Sequence, residues 1–207
     1  MTCKDAVQSA YEKRAEEYIE LLGSMDAMAV PDCEAITTWA RGVSGPIVDA
    51  GCGPGHWSDH LSRIGVEVFG VDMVEAFIAS AKNRFPHVRF EVGELDPLPV
   101  APASVGGILA WYSLIHAEAE HVPRILAGFA TALRPGGTVL IGFFTGPDRE
   151  RFDHAVAPAW FWPVSDMARC VEEAGFIPEL VETRHDEGKR PHAAMTARKK
   201  TDDASTT

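Results

Sequence analysis

The segment Ile47-Val48-Asp49-Ala50-Gly51-Cys52-Gly53-Pro54-Gly55-His56 restricts the folding of this chain more than any other stretch. An apolar run leads into three glycines at alternate positions, and a helical stretch follows. Glycine has no Cβ, so the turn lets backbone come close to a ligand and adopt positive φ. At the carboxyl end of a strand in an open α/β sheet, such a turn also lies beside the unpaired N–H groups of a helix N-terminus, where ligands of these sheets bind. The alternative is a tight turn without a ligand.

Downstream, short β-branched runs alternate with helical stretches. Strands are predicted at Ile47–Ala50, Val66–Val71, Val88–Val92, Gly107–Trp111 and Thr138–Phe144, with helices at His56–Ile64, Val74–Asn83 and Val122–Leu133. This alternation forces parallel pairing and a doubly wound α/β fold. Leu133-Arg134-Pro135-Gly136-Gly137 reads as a helix end followed by a turn, because proline stops the helix and glycines permit positive φ. A helix at Val164–Ala174 stops at Gly175, and strands follow at Ile177–Thr183 and His192–Ala197. Paired antiparallel, these two finish the sheet with an edge hairpin. Upstream, Lys4–Leu22 reads as one amphipathic helix and Pro31–Arg41 as a second. Residues beyond Ala197 are polar and small, so the reading is one domain over 1–198 and a disordered tail at 199–207.

Of the 207 residues, 46% are hydrophobic and 24% charged, which is the composition of a globular protein with a packed core. A formal net charge of −11 repels phosphate backbones and anionic membrane surfaces, so neither nucleic acid nor membrane is an expected partner. Cys3, Cys33, Cys52 and Cys170 have no metal-type spacing, and free thiols with no metal are expected. Charges scattered through the first thirty residues break any signal-peptide core, and no apolar run is long enough to span a bilayer. These features lead us to expect a cytoplasmic protein; oligomeric state is open.

Two carboxylates extend the argument from the turn. Asp72 ends the second predicted strand, where an acidic residue can accept both ribose hydroxyls of a nucleoside. It is equally suited to cap the following helix, and the two roles are compatible. Glu94 follows the third strand in Gly93-Glu94-Leu95-Asp96-Pro97-Leu98-Pro99, where it can accept from an exocyclic adenine amine; taken alone it is a surface loop acid.

The four segments Val48–Gly55, Val71-Asp72, Gly93–Pro99 and Leu133–Gly137 occur in the order found in class I S-adenosylmethionine-dependent methyltransferases of the small-molecule type, which this chain resembles over about residues 11 to 145. The resemblance implies a Rossmann-like, mostly parallel seven-stranded sheet with the C-terminal hairpin at its edge and residues 1–45 as a helical lid. It implies S-adenosylmethionine as cofactor, S-adenosylhomocysteine as product and a small-molecule acceptor. By position, Asp49 and the Gly51-Cys52-Gly53 backbone would meet the methionine part, Asp72 the ribose, and Met73 one face of the adenine. Gly93, Glu94 and Leu95 would meet the adenine edge, while Ala110, Trp111, Tyr112 and Ser113 would border the sulfonium and acceptor. Tyr11, Arg14 and Tyr18 match a lid helix that carries an arginine or tyrosine near the cofactor carboxylate; an ordinary amphipathic face is the alternative. One departure stands out: many relatives have Phe-Asp before the fourth strand, where this chain has Val105-Gly106.

Methyl transfer from a sulfonium depends on alignment, with a base needed mainly for hydroxyl acceptors. His116 sits where relatives place a histidine near the acceptor, as a base or as an orienting group in the loop. Trp160 and Trp162 in Ala159-Trp160-Phe161-Trp162-Pro163 would wall the acceptor or pack in the core. Cys52 lies inside the turn without a base partner, which argues against a nucleophile. A dinucleotide-dependent dehydrogenase would need glycine where His56 stands. A non-catalytic module binding the same cofactor is the third alternative.

Overall fold

A computed structural model describes residues 3–201 of the chain, with side chains from residue 5. Helices α1 (Cys3–Lys13), α2 (Ala15–Leu22) and α3 (Val30–Gly42) come first, with a 3-10 turn at Met25–Ala27. The alternating region follows: β1 (Ile47–Ala50), α4 (His56–Arg63), β2 (Val68–Asp72), α5 (Glu75–Arg84), β3 (Arg89–Val92), β4 (Val105–Trp111), α6 (Val122–Ala132) and β5 (Leu133–Phe144). A short hairpin, β6 (Glu150–Phe152) with β7 (Ala159–Phe161), precedes α7 (Val164–Glu173), β8 (Phe176–Arg184) and β9 (His192–Lys199).

The main sheet has seven strands in the order β3-β2-β1-β4-β5-β9-β8. The first five are parallel, and β9 runs antiparallel to both β5 and β8. Strand order reverses between β1 and β4, which is where an open α/β sheet leaves a crevice beyond its strand ends. The glycine turn leaves β1 at that point.

Strand parity explains why helices cover both faces. Successive residues of a strand point to opposite sides. Val48, Ala50, Ile108, Ala110, Val139, Ile141 and Phe143 enter one core, with Leu126 and Phe129 of α6 and Met167 and Val171 of α7. Ile47, Leu109 and Leu140 enter the other, with Ile36 and Ala40 of α3 and Trp57 and Leu61 of α4. Every residue of β1 is buried, as expected of a central parallel strand. Asp49 is its sole polar member.

Four local readings need correction. The predicted helix over Lys4–Leu22 is two helices, because Arg14 leaves helical geometry at φ −115°, ψ 14°. No proline or glycine marks that break. Leu133 pairs with Val105 and Thr138 with Gly107, so the Pro-Gly-Gly stretch lies within the range of β5, across an irregularity in the ladder, and does not form a free turn after α6. The β6–β7 hairpin escaped the sequence reading because three-residue strands carry too little periodicity. Strand β9 includes Arg198 and Lys199: Arg198 Nε donates to Glu179 at 2.6 Å and Lys199 Nζ to the Leu133 carbonyl at 2.7 Å. The rest of the predicted tail, from residue 202, lies outside the described residues.

The departure at Val105-Gly106 has a steric cause. A Cβ on Gly106 would lie 1.9 Å from the Ser44 carbonyl oxygen, whereas one on Gly107 would meet only side chains, the nearest at 2.9 Å. Gly106 N–H also donates to the Pro46 carbonyl at 2.8 Å, tying β4 to the entry of β1. Backbone cannot yield as a side-chain tip can. Gly106→Ala should therefore cost about 2–3 kcal/mol and Gly107→Ala distinctly less. Urea unfolding of both variants checks the order, and equal losses would contradict it.

Candidate functional site

The turn is built from its backbone. Gly51 N–H and Cys52 N–H both donate to the Val71 carbonyl, at 2.8 and 3.0 Å, which fastens the turn to the end of β2. Gly51 has φ +82°, and a Cβ there would sit 2.3 Å from Ser113 Cβ, so the turn and the loop after β4 meet at a distance only glycine allows. The Cys52 side chain packs with Ile78, Ala81, Val88 and Phe90, and burial drives its thiol well above the ordinary range. It is a small core residue.

Two carboxylates flank this turn. Asp72 accepts Gly53 N–H at Oδ2 and Val74 N–H at Oδ1, both at 2.9 Å, so it braces the glycine turn and the approach to α5. The expected capping role is not its own, because the N-cap position is Val74 and the first helical N–H, that of Glu75, donates to Glu12 at 2.8 Å. Burial raises its carboxyl to about 6, against the lowering effect of those backbone bonds. Asp49 is 1% exposed, and Ser58 donates to it twice, from Oγ at 2.6 Å and from its backbone N–H. Burial raises it to about 7, again against hydrogen bonds that lower it. Ser58 was missed from sequence because its role depends on a contact from the first turns of α4 back to β1.

The crevice divides into two chambers that meet at Gly51. The first, of about 520 Å³, lies towards β2 and β3 and is lined by Asp72, Met73, Gly93, Glu94 and Leu95, with Phe77 and Ile125 as apolar walls. The second, of about 840 Å³, lies towards β5 and β9 and is bordered by Asp49, the turn, Trp57, Trp111, Tyr112 and Phe144. Of the residues read from sequence, these two groups are brought to the crevice. Ala110 is fully buried in the core below it.

The lid residues separate. Tyr11 lines the first chamber, and its hydroxyl lies 2.8 Å from His116 Nε2. Tyr18 packs edge-on to Tyr11 at 5.6 Å and against Phe77 at 5.2 Å, beside Gly53. Arg14 is directed elsewhere: its side chain is 40% exposed, paired with Glu17 at 2.8 Å and hydrogen-bonded to the Ala155 carbonyl. Tyr11 and Tyr18, seven positions apart, both reach Phe77.

His116 has a defined tautomer. Its Nδ1 lies 2.9 Å from the Pro158 carbonyl, which can only accept, so Nδ1 carries the proton and Nε2 accepts from Tyr11 O–H. Burial lowers its pKa, favouring this neutral form. Of the two roles read for His116, base or orienting group, its bonds are those of the second: it ties α1, the loop after β4 and the segment before β7 together. Of the two places read for Trp162, acceptor wall or core, it takes the core, 1% exposed, with the Arg149 guanidinium 5.2 Å from its ring centroid. Trp160 lines a smaller space behind His116, with Val7, Ala10 and Arg151.

A doubly wound sheet whose switch point carries a glycine turn and two strand-end carboxylates defines a Rossmann-like nucleoside-cofactor domain. Residues 47–137 match the family described as "Methyltransferase domain". The chain carries a class I S-adenosylmethionine-dependent methyltransferase domain, and S-adenosylmethionine is the cofactor of that family. It is 30% identical over 139 residues to a Mycolicibacterium smegmatis protein named "Probable S-adenosylmethionine-dependent methyltransferase", covering 66% of this chain and 50% of that one. To the trans-aconitate 2-methyltransferase of Variovorax paradoxus it is 32% identical over 137 residues, covering 59% and 49%. The chain thus spans about half the length of these curated relatives. Its fold superposes with a TM-score of 0.80 and 23% identity on 1,6-didemethyltoxoflavin-N1-methyltransferase of Burkholderia thailandensis, solved with that substrate and S-adenosylhomocysteine, over 95% of this chain and 88% of that one. Among the described residues no helix is long and apolar enough to cross a membrane.

The residues fit the family's cofactor. Asp49 is a buried carboxylate whose charge lacks a cationic partner among the described residues, and Ser113 Oγ is buried beside Gly51 without a hydrogen-bond partner. A ligand with a sulfonium and an ammonium group on one side and a nucleoside on the other answers both chambers.

Proposed function

We propose that this chain transfers a methyl group from S-adenosylmethionine to a small-molecule acceptor. The observation that carries this reading is Asp49. A carboxylate so deeply buried, with only the neutral hydroxyl and backbone N–H of Ser58 bonded to it among the described residues, is costly unless a cation binds against it. The cofactor, when bound, supplies an electrophilic methyl group on a positively charged sulfur.

The chain's own residues have separable tasks. Asp72 accepts from the backbone N–H groups of Val74, Gly53 and Met73, and would take ribose hydroxyls on the remaining lone-pair capacity of a carboxylate already held rigid. Met73 and Leu95 would flank the adenine, with Gly93 and Glu94 at its edge. Asp49 and the Gly51–Gly53 backbone would hold the methionine part. Trp111 and Tyr112 would border the acceptor, and water would be excluded by Tyr11 fixed through His116. His116 is then a positioning residue whose lone pair is already engaged. The trans-aconitate relative acts on a carboxylic acid by its printed name, which is consistent with a metabolite-sized acceptor here without specifying it.

Calorimetric titration with S-adenosylmethionine, S-adenosylhomocysteine and NAD tests the cofactor. Micromolar binding of the first two and none of NAD is expected; the reverse pattern would sink the reading. A radiolabelled-methyl screen over a metabolite library tests transfer. Cofactor binding with no acceptor in a broad screen would favour the non-catalytic module.

A further inference from the structure

Tyr112 is held in an unusual conformation that the cofactor reading does not use. It directly follows β4 and has φ +55°, in the left-handed region that bulky side chains avoid at a cost of about 1 kcal/mol or more. Its N–H donates to the Gly142 carbonyl at 3.0 Å, so the backbone stays tied to β5 through this turn. The conformation puts its ring 5.0 Å from Phe144 and 6.0 Å from His192, with the last pair stacked at 26°. The Tyr112 hydroxyl hydrogen-bonds His192 Nδ1. His192 opens β9 directly opposite Phe144, and its Nε2 has no hydrogen bond among the described residues.

The charges around this chamber narrow what it can hold. Arg184 is matched by Asp32 at 2.8 Å and Asp186 at 3.0 Å. Lys189 shares Asp186 at 3.9 Å. Arg190 donates to the Asp153 carbonyl at 3.2 Å and lies over the Phe152 ring. These cations are already engaged, Arg184 and Lys189 by carboxylates and Arg190 by a carbonyl and a ring. An anionic ligand is poorly served by that balance. The remaining wall is aromatic, with one imidazole nitrogen to spare.

We propose that the second chamber binds a planar aromatic ligand bearing a ring hydroxyl, and that His192, oriented by Tyr112, accepts that hydroxyl's hydrogen bond at Nε2. The assignment specifies an acceptor class and so rests on the methyl-transfer reading above. The Tyr112 hydroxyl can donate or accept, so a ligand O–H donating to Nε2 selects the tautomer in which Nδ1–H donates to the Tyr112 oxygen. Burial, then Arg184, with a smaller push from Lys189, lowers the His192 pKa, while Asp32 and Asp186 act in the other direction; the net direction favours the neutral ring. Tyr112 is a positioning residue, and His192 is the one that touches the ligand.

The test is calorimetry on the full chain saturated with S-adenosylhomocysteine, using 4-methylphenol, which stays un-ionised at neutral pH, with 4-methylanisole and 4-methylbenzoate as probes. The phenol should bind at least about tenfold tighter than its methyl ether or the carboxylate, the worth of one good hydrogen bond in a dry site. His192→Phe, which keeps the stacking, should reduce that preference to about twofold or less while S-adenosylhomocysteine affinity is retained. In Tyr112→Phe, the His192 ring proton resonance should titrate at a different pH and the phenol preference should fall. That variant alters one hydroxyl and carries the test if His192→Phe does not fold. Equal affinity for phenol and ether, tighter binding of the benzoate, or an undiminished preference in the variants would overturn the proposal. Failure to bind S-adenosylhomocysteine at all would instead overturn the methyl-transfer reading.

Discussion

Asp72→Ala is expected to weaken S-adenosylmethionine binding by about 100-fold or more, with a loss of folding stability on the order of 1–3 kcal/mol. Two effects combine in the affinity. In the proposed site two charge-assisted hydrogen bonds to ribose hydroxyls would disappear, each worth about 1.5–3 kcal/mol. The glycine turn also loses its brace, because Gly53 N–H and Val74 N–H bond the two oxygens of this one carboxylate. The stability loss is moderated because a buried charge goes too: the carboxyl, raised to about 6 by burial, is partly strained at neutral pH. Calorimetry and urea unfolding measure the two terms separately. Unchanged affinity would contradict the ribose assignment, and an unchanged turn with lost affinity would show that the brace is dispensable.

Asp49→Asn should have the opposite sign on stability. The substitution keeps volume and an oxygen to accept from Ser58 Oγ, yet removes the charge that burial penalises. Asp49 is raised from 3.8 to about 7 in the folded chain, so the folded state holds its proton more tightly than the unfolded state. Stability from this group is therefore full below pH 3.8 and is lost as pH rises through about 7. The variant should consequently be more stable than the parent at pH 8, by on the order of 2–4 kcal/mol, with the gain shrinking as pH falls towards 4. Cofactor affinity should drop about 100-fold, since the cation loses its carboxylate. Urea unfolding at pH 5 and pH 8 gives the sign. A variant less stable than the parent at pH 8 would mean that something other than a bound ligand already compensates Asp49.

The two carboxylates were legible for different reasons. Asp72 stands at a strand end before a helix, a position where both capping and ribose binding recommend an acid, and both neighbours it bonds are close in sequence or in the adjoining turn. Asp49 was placed through resemblance, and its isolation became visible only once β1 was seen buried on both faces. His116 shows the limit most clearly. A histidine in the loop after β4 invites a base assignment, but its two nitrogens are taken by Tyr11, 105 positions away, and Pro158, 42 positions away. Trp160 and Trp162 are two residues apart, yet one borders a small space and the other is sealed in the core, because the Thr145–Trp162 bridge draws the chain under the sheet edge. No local pattern distinguishes them.

What the sequence alone determined was carried by short-range backbone preference: the glycine turn, the alternating strands and helices, the last two strands and the acid at the end of β2. These depend on φ/ψ limits and on side-chain periodicity, which act over a few residues. Tertiary structure alone decided where the chain breaks at Arg14, that Gly106 must yield to the Ser44 carbonyl, and that Tyr112 meets His192 across 80 positions. Such pairings depend on strand order and register. A shift of one residue in β9 would turn His192 to the opposite face, and nothing within the segment itself records which face the sheet will choose.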